Sequence, residues 1–580
     1  MWKKRDNSIS DVSAVCFKNL EADASGINGW FKKTYANKYR LDNEIKFKEY
    51  IDRFKNKPIY IFGDYDPDGQ CSVAIFVRGL KAYGCTNVKW RVPRPFSEGF
   101  GMNMAMINEI DDLPENTLII TCDNGTSALN VIEEANNKGF KNIIVTDHHK
   151  PSLDSNGCVV LPDVSALYNP HALPESADFD GYCGAGIAYK LIRYILGDTD
   201  VTAKLQTLAA IATVCDSVPL REENFVIVRD GIRKMNRLAT FPGIIALFDV
   251  LNLTFVDREK NAYIDAEKIG FSIGPCLNAC RRLDDDGANM AISLLLSDDY
   301  HSSLDIAHKL KMLNEQRKLL VTEGMKKAEI KIEEKNLLSN KTITALLDVE
   351  PGIAGIISGR LAERYNRPCI ILSHVADGVC RGSGRSVDGI DLKSTLDLVA
   401  SRTDDLMIAY GGHPMAAGIT MMREKVSELN YALNEALIDY SPKQAERYYD
   451  CDITDDDIID VSTILDKTAP YGEGNPSPIF KCEFHPIPAY GSYKHDLGTN
   501  GVRLFSKDCQ AVGFGLRDRF ENIDRPSRIT LYGTISVNYY RGRRAVQFNF
   551  IDFEKVEGPS LNKTSFAEKL NILSQKRKAV

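Results

Sequence analysis

The chain has 580 residues and a mass of 64.7 kDa, too much for one core, and a prior of about 150 residues per domain points to three or four units. With 44% hydrophobic and 26% charged residues, its composition is globular and excludes wholesale disorder. The formal net charge of -7 excludes a global basic field, so any nucleic-acid partner must be held by a local channel. The opening MWKKRDNSIS lacks the apolar core of a signal peptide, and no run nears the roughly 18 apolar residues of a membrane span. Fourteen cysteines without a CxxC pair fit reduced thiols better than a disulfide framework or a zinc site. The expectation is a multidomain cytoplasmic protein with no membrane partner.

From about 58 to 162, β-rich runs alternate with helical ones. PIYIF (58–62), VKWRV (88–92), TLIIT (117–121) and NIIVT (142–146) read as strands. SVAIFVRGLKAYG (72–84) and SALNVIEEANNKG (127–139) read as helices closed by glycine. Such alternation predicts a parallel sheet with helices on both faces. A helical stretch comes next, and its charged last part, from Ser302 to about Lys335, reads as a spacer helix between two lobes. A second α/β unit spans about 341–440. The turn-rich PYGEGNPSPIF (470–480) marks a further boundary, and alternating segments such as RITLYGTISVNYY and RRAVQFNFIDF predict a small barrel. Residues from about 557 read as a basic tail.

The chemistry begins with GDYDPDG (63–69), directly after the first strand. Asp64, Asp66 and Asp68 alternate, so in an extended loop their carboxylates converge, which a hard cation among them relieves. An EF-hand is rejected: it needs a preceding helix and a Glu at loop position 12, which here is Ile75. A solvated acidic turn stays open on this motif alone. Asp123 in CDNGTS and Asp147, His148 and His149 in TDHH each come after a predicted strand, where ligands of a parallel sheet gather. Carboxylate plus imidazole suits manganese or magnesium better than thiolate-bound zinc. Asp216, in ATVCDSVPL, ends a helical run and by itself reads as a cap.

DYDPDG, CDNG, TDHH and CDSVPL resemble, in order, the four motifs of the DHH phosphoesterase superfamily. CGAGIAYKL (183–191), IGPCLNACRRL (273–283), LNEQR (313–317), GIAGIISGRLAERYNRP (352–368), GSGRS (382–386), GGHPMAAG (411–418) and PYGEGNPSPIF extend the resemblance to its RecJ-type exonucleases. The fold so implied is a parallel-sheet DHH catalytic domain joined by a long helix to a DHHA1-type α/β domain, then an OB-type β-barrel. Its parts fall at 1–45 (N-terminal extension), 46–230 (DHH), 231–335 (helical region and connecting helix), 336–442 (DHHA1-type), 443–556 (OB-type) and 557–580 (tail). The implied activity is 5′→3′ hydrolysis of single-stranded DNA to mononucleotides, in recombination and repair, by a cytoplasmic monomer. Single-strand-binding protein or a helicase are the implied protein partners.

The resemblance further implies two divalent cations, Mn2+ or Mg2+, held by Asp66, Asp68, Asp123, His148 and Asp216, with Asp123 as the bridge and Asp64 beside them. Such a pair activates water without a protein nucleophile. His149 is implied on the scissile phosphate and His413 toward the metal centre. In GGHPMAAG, Gly411, Gly412 and Gly418 permit close backbone approach, and Ala416 and Ala417 leave room for a ligand. Ser383 and Arg385 match residues that hold a 5′-phosphate, and Asn278 and Arg282 match backbone contacts. In NYYRGRR (538–544), Tyr539, Tyr540, Arg541 and Arg543 have the aromatic and cationic makings of a single-strand grip; strand tyrosines beside a solvated basic turn fit equally well by composition.

Three departures from the family pattern bear on substrate preference. Cys276 stands at a usual Arg and Arg281 at a usual Gly; Pro95 replaces an Arg, with Arg94 one place earlier; and VEPG (349–352) stands for WHPG. Two alternatives share the superfamily. A nano-RNase or cyclic-dinucleotide phosphodiesterase would be shorter and lack the barrel, and a non-catalytic replication scaffold would have lost ligands that are all present here.

Overall fold

A computed structural model describes residues 2–9, 11–19, 41–94, 97–99, 101–154, 156–255, 261–376, 378–403, 405–441, 446–490, 492–498, 500–521, 523, 525–540 and 543–557. Its contacts divide into two units: one gathers Met1–Ala36 with Glu446–Val580, the other Asn37–Phe255 with Glu259–Ala445. Among the described residues, no helix is long and apolar enough to cross a membrane.

The first unit takes in both ends of the chain. Strand β1 (Trp2–Lys4) and helix α1 (Val12–Asn19) open it. The N-terminal stretch is therefore part of a fold whose other elements come more than 400 residues later.

The second unit begins with α2 (Glu44–Phe54) and a sheet of β2 (Pro58–Gly63), β3 (Asn87–Arg91), β4 (Leu118–Cys122), β5 (Ile143–Thr146) and β6 (Ala166–Tyr168). Its order is β3-β2-β4-β5-β6, all parallel. Central β4 and β5 are buried throughout, as their unbroken apolar runs require, whereas edge β3 is part-exposed. Strand β6 was not anticipated; three residues carry too little pattern to be seen.

Helix α3 (Pro67–Tyr83) starts five residues before the apolar periodicity does. Asp66 caps it, its Oδ1 accepting from the backbone N–H groups of Asp68 and Gly69 at 3.1 Å each, and Pro67 opens the first turn. After α4 (Leu129–Asn137) come α5 (Gly184–Leu196) and α6 (Asp200–Cys215), then α7 (Gly274–Leu283) and the 35-residue α8 (Tyr300–Glu334). The two ends of α8 belong to different cores: Leu310 and Leu313 pack with the parallel-sheet domain, Val321, Ala328 and Ile332 with a second sheet. The spacer helix is thus a shared packing element.

This second sheet is mixed. It contains β7 (Ile343–Leu347), β8 (Cys369–Ala376), β9 (Val379–Arg385), β10 (Ala409–His413) and β11 (Ala416–Met422), ordered β7-β8-β9-β11-β10 with only β7 and β8 parallel. Helix α9 (Ala354–Tyr365) packs against β8 and β9.

Back in the first unit, β12 (Arg447–Tyr449) pairs with β1. The Trp2 ring stacks on Tyr532 at 4.6 Å, and its Nε1 donates to Asp552 Oδ2 at 2.9 Å. Arg447 and Arg519 bond the same carboxylate, at 2.6 and 2.7 Å. The main sheet contains β13 (Cys451–Thr454), β14 (Phe480–Phe484), β15 (Lys494–Leu497), β16 (Gly501–Phe505), β17 (Gln510–Phe514), β18 (Arg528–Tyr540) and β19 (Arg543–Glu557), in the order β13-β14-β18-β19-β17-β16-β15. Helix α10 (Ile458–Thr468) shares its core with α1. The segment 470–480, expected at a boundary, joins α10 to β14 inside this unit. Residues 558–580, expected as a tail, lie outside the described residues.

Candidate metal centre and phosphate clamp

Strand order reverses between β2 and β4: the chain passes from β2 outward to β3, then returns to the other side. Ligands of open parallel sheets bind at such a switch, beyond the carboxyl ends of the strands. Asp64 comes directly after β2, Asp123 after β4, and Asp147, His148 and His149 after β5. Asp216 is the C-cap of α6, as its sequence context predicted, and its side chain still reaches the same place.

His148 Nε2 lies 3.2 Å from Asp123 Oδ1, 3.5 Å from Asp216 Oδ2 and 3.7 Å from Asp68 Oδ2. Three overlapping groups each bring one ligand atom per residue within 4.8 Å of one another: Asp123, His148 and His149; Asp68, His148 and Asp216; and Asp64, Asp66 and Asp123. The expected convergence is present, but an extended loop is not its cause. Asp66 and Asp68 belong to the cap and first turn of α3, and a second helix terminus fixes Asp68: the N–H groups of Gly184 and Ala185 donate to its Oδ2 and Oδ1 at 2.6 and 2.8 Å. A Cβ at Gly184 would stand 2.6 Å from the Asp123 Cβ, so only glycine lets α5 come this close. Asp123 itself has φ 62, the left-handed region that costs most residues about 1 kcal/mol or more and gathers at functional sites.

The electrostatics are those of a site waiting for positive charge. Burial and the Asp66 charge push Asp64 up to about 7; burial with Asp68 and Asp66 pushes Asp216 to about 8; and Asp123, almost wholly buried among the others, stands well above the carboxylate range. Burial lowers His148, keeping it a neutral ligand. Asp64 Oδ1, Asp123 Oδ1 and His148 Nε2 are buried with no hydrogen-bond partner. Oxygen-rich, with one or two imidazoles and three orphaned ligand atoms, this set fits hard divalent cations.

Asp147 plays another part from its motif neighbours. Its Oδ1 accepts from the N–H groups of His148 and His149 at 2.8 and 3.1 Å and lies 2.8 Å from His149 Nδ1, while its Oδ2 takes the Thr126 N–H at 3.0 Å. Burial lowers the His149 pKa, but this bond and charge outweigh it and hold His149 at about 9. Asn169, which drew no notice in the sequence, donates to the His149 carbonyl and to Thr126 Oγ1, both at 2.8 Å.

On the second sheet, Arg385 Nη1 donates to Ser383 Oγ at 2.7 Å, so the expected clamp residues stand together on β9. Both press on the first turn of α9, where a Cβ at Gly355 would lie 3.1 Å from Arg385 Nη2 and from Ser383 Oγ. Arg282 Nη1 bonds the Gly352 carbonyl at 2.9 Å, and burial together with Arg281, Arg317 and Arg385 lowers its pKa to about 9. Asn278 Oδ1 accepts from Arg281 Nε. Cys276 is buried, its sulfur 3.4 Å from Asn314 Nδ2.

His413 is exposed at the end of β10 and belongs to none of the metal-capable groups among the described residues. Gly412 has φ 148, and a Cβ there would meet the Ala416 carbonyl at 2.2 Å; the space around Gly411 and Gly418 is open. Ala417 packs into the sheet's core instead of leaving ligand space, because strand alternation turns it inward. Tyr539 and Tyr540 end β18 paired with Arg544 and Arg543; the side chains there, and all of Arg541, lie outside the described residues, as does Pro95.

Comparison with known proteins agrees with this geometry. Residues 58–213 match the DHH family N-terminal domain, 339–439 the DHHA1 domain and 449–552 the RecJ OB domain. A single-stranded-DNA-specific exonuclease RecJ of Salmonella typhimurium is 31% identical over 561 residues, covering 91% of this chain and 92% of its own. The Bacillus subtilis protein of that name is 30% identical over 520 residues; the match covers 87% of this chain but 63% of the longer relative. The crystal structure of RecJ in complex with Mn2+ from Thermus thermophilus superposes with a TM-score of 0.71 at 25% identity, over 89% of this chain and 72% of its own.

Proposed function

We propose a function from one premise: the chain belongs to the RecJ family of DHH phosphoesterases. It hydrolyses single-stranded DNA from the 5′ end and releases mononucleotides. The observation that carries this reading is the cluster of carboxylates and imidazole at the switch point of the parallel sheet, with three buried ligand atoms unpartnered.

Asp64, Asp66, Asp68, Asp123, His148 and Asp216 would hold two divalent cations, Mn2+ or Mg2+, with Asp123 the carboxylate that belongs to two of the three ligand groups. Bound there, the cations supply Lewis acidity toward water and phosphate oxygens. The chain's own residues do the positioning. Gly184 and Ala185 aim Asp68, and Asp147 orients His149 through Nδ1. The Asp147 carboxylate on Nδ1 favours protonated His149, whose Nε2–H is left to donate to an oxygen of the scissile phosphate. Water attacks phosphorus in line, the bond to the 3′-oxygen of the terminal nucleotide breaks, and the shortened strand keeps a 5′-phosphate. Ser383 and Arg385 hold the terminal phosphate of the nucleotide being removed.

The match of 449–552 to the RecJ OB domain supports a single-strand grip in the C-terminal unit and weighs against the shorter dinucleotide-cleaving relatives. Fourteen free cysteines support a reducing, cytoplasmic setting. Work in recombination and repair as a monomer, beside single-strand-binding protein or a helicase, rests on family resemblance. The reading is tested with oligonucleotides labelled at either end, single- and double-stranded, in Mn2+, Mg2+ or EDTA. Metal-dependent release of mononucleotides from the 5′ end of single strands is expected; preference for duplex, or release from the 3′ end, defeats it.

A further inference from the structure

Arg281 stands where the family pattern has Gly, one residue before Arg282, whose charged surroundings include both Arg281 and Arg385. Arg281 lies with its guanidinium 4.5 Å from the centre of the Tyr65 ring, and Tyr65 stands between Asp64 and Asp66. Its Nε is tied to Asn278, which fixes the plane of the fork. Among the described residues, its Nη groups have no acceptor and no carboxylate lies within 4 Å; the same lack of an ion-pair partner holds for Arg282, Arg317 and Arg385. Stacked on Tyr65 and attracted by the Asp64 carboxylate, this half-buried arginine still has its Nη groups open to an anion. Tyr65 and Asn278 therefore present a preformed cation at little further entropy cost.

Arg94 is engaged by Glu98 at 3.5 Å and Asp286 at 3.9 Å. Between the metal-site loop and Ser383–Arg385, Arg281 and Arg282 are consecutive on α7, and Arg282 is anchored to the Gly352 carbonyl beside the first turn of α9, the turn on which the clamp rests.

We propose that Arg281 is a second arginine contact for the 5′-terminal phosphate and, with Ser383 and Arg385, sets the preference for phosphorylated over hydroxyl 5′ ends. This rests on the exonuclease reading above and adds to it a specificity-determining residue in the GPCLNACRRL segment.

The test compares kcat/KM for one single-stranded oligonucleotide bearing either a 5′-phosphate or a 5′-hydroxyl, in Mn2+, for the wild type, R281Q, R281K, R385A and the R281Q/R385A double variant. R281Q is expected to lower the phosphate-to-hydroxyl ratio about tenfold, as loss of a charged hydrogen bond does. R281K, which keeps the charge and the stem over Tyr65, recovers part of that ratio and keeps the test open should R281Q fold poorly. In the double variant the losses fall short of multiplying, because both arginines share one anion. Equal loss on both substrates in R281Q, an unchanged ratio, or losses that multiply would each overturn the proposal. A wild type that digests both ends equally well would remove the clamp while leaving the exonuclease; a wild type that digests neither would remove the exonuclease itself.

Discussion

Two assemblies in the larger unit are each built from one sign of charge. Around His148, Asp64, Asp66, Asp68, Asp123 and Asp216 gather with hardly a cation among them; around Arg282, Arg281, Arg317 and Arg385 gather, with no carboxylate within 4 Å among the described residues. Asp552, in the other unit, shows what a structural charge looks like: Trp2, Arg447 and Arg519 satisfy it from three sides. A chain able to pair Asp552 so fully has no need to leave these two groups unpaired. Their opposite signs match the two things a phosphodiesterase must hold, metal ions and phosphates.

Asp123→Ala breaks the comparison most severely. Removing a carboxylate common to two ligand groups should cost about 10³-fold or more in hydrolysis. The metal-free melting temperature should hold or rise, because a carboxyl buried among other carboxyls is removed. Near wild-type Mn2+-dependent rates in that variant would show that the cluster is not the catalytic centre.

Asp147→Asn should act less strongly. It leaves the acidic group intact but loosens the orientation of His149, and outer partners of this kind are worth about 10–100-fold. The loss should appear in kcat with Mn2+ affinity little changed; equal weakening of Mn2+ binding would make Asp147 a ligand.

The smallest effect is read in stability. Asp64 and Asp216 titrate near 7 and 8 in the folded chain, against about 4 when unfolded, so the folded state binds more protons between those values. Stability contributed by their protonation is present below about pH 4 and is lost as pH rises through 7 to 8. In EDTA the melting temperature should therefore fall by several degrees from about pH 5 to about pH 8.5. In Mn2+ the fall should vanish, since metal binds the deprotonated groups. A flat profile in EDTA would mean that the carboxylates do not press on one another.

The parallel sheet and its acidic strand ends were legible because buried strands write unbroken apolar runs and ligands gather at their carboxyl ends; Asp64, Asp123 and His148 were found that way. Asp147 was seen only as part of a motif, since its role depends on which way its oxygens turn. Asn169 and the N–H groups of Gly184 and Ala185 act from segments distant in sequence, and backbone donors leave no residue-type signal. The early start of α3 was hidden because Asp68, Gly69 and Gln70 are buried positions that break the apolar period. Strand β1 was missed for its three-residue length, and its partner β12 lies more than 400 residues away.

The most direct test of the central claim is an anomalous-scattering map of crystals soaked in Mn2+. Two peaks ligated by Asp64, Asp66, Asp68, Asp123, His148 and Asp216, with Asp123 touching both, are expected. Density for those side chains turned away from one another, with no ion between them, would contradict the account.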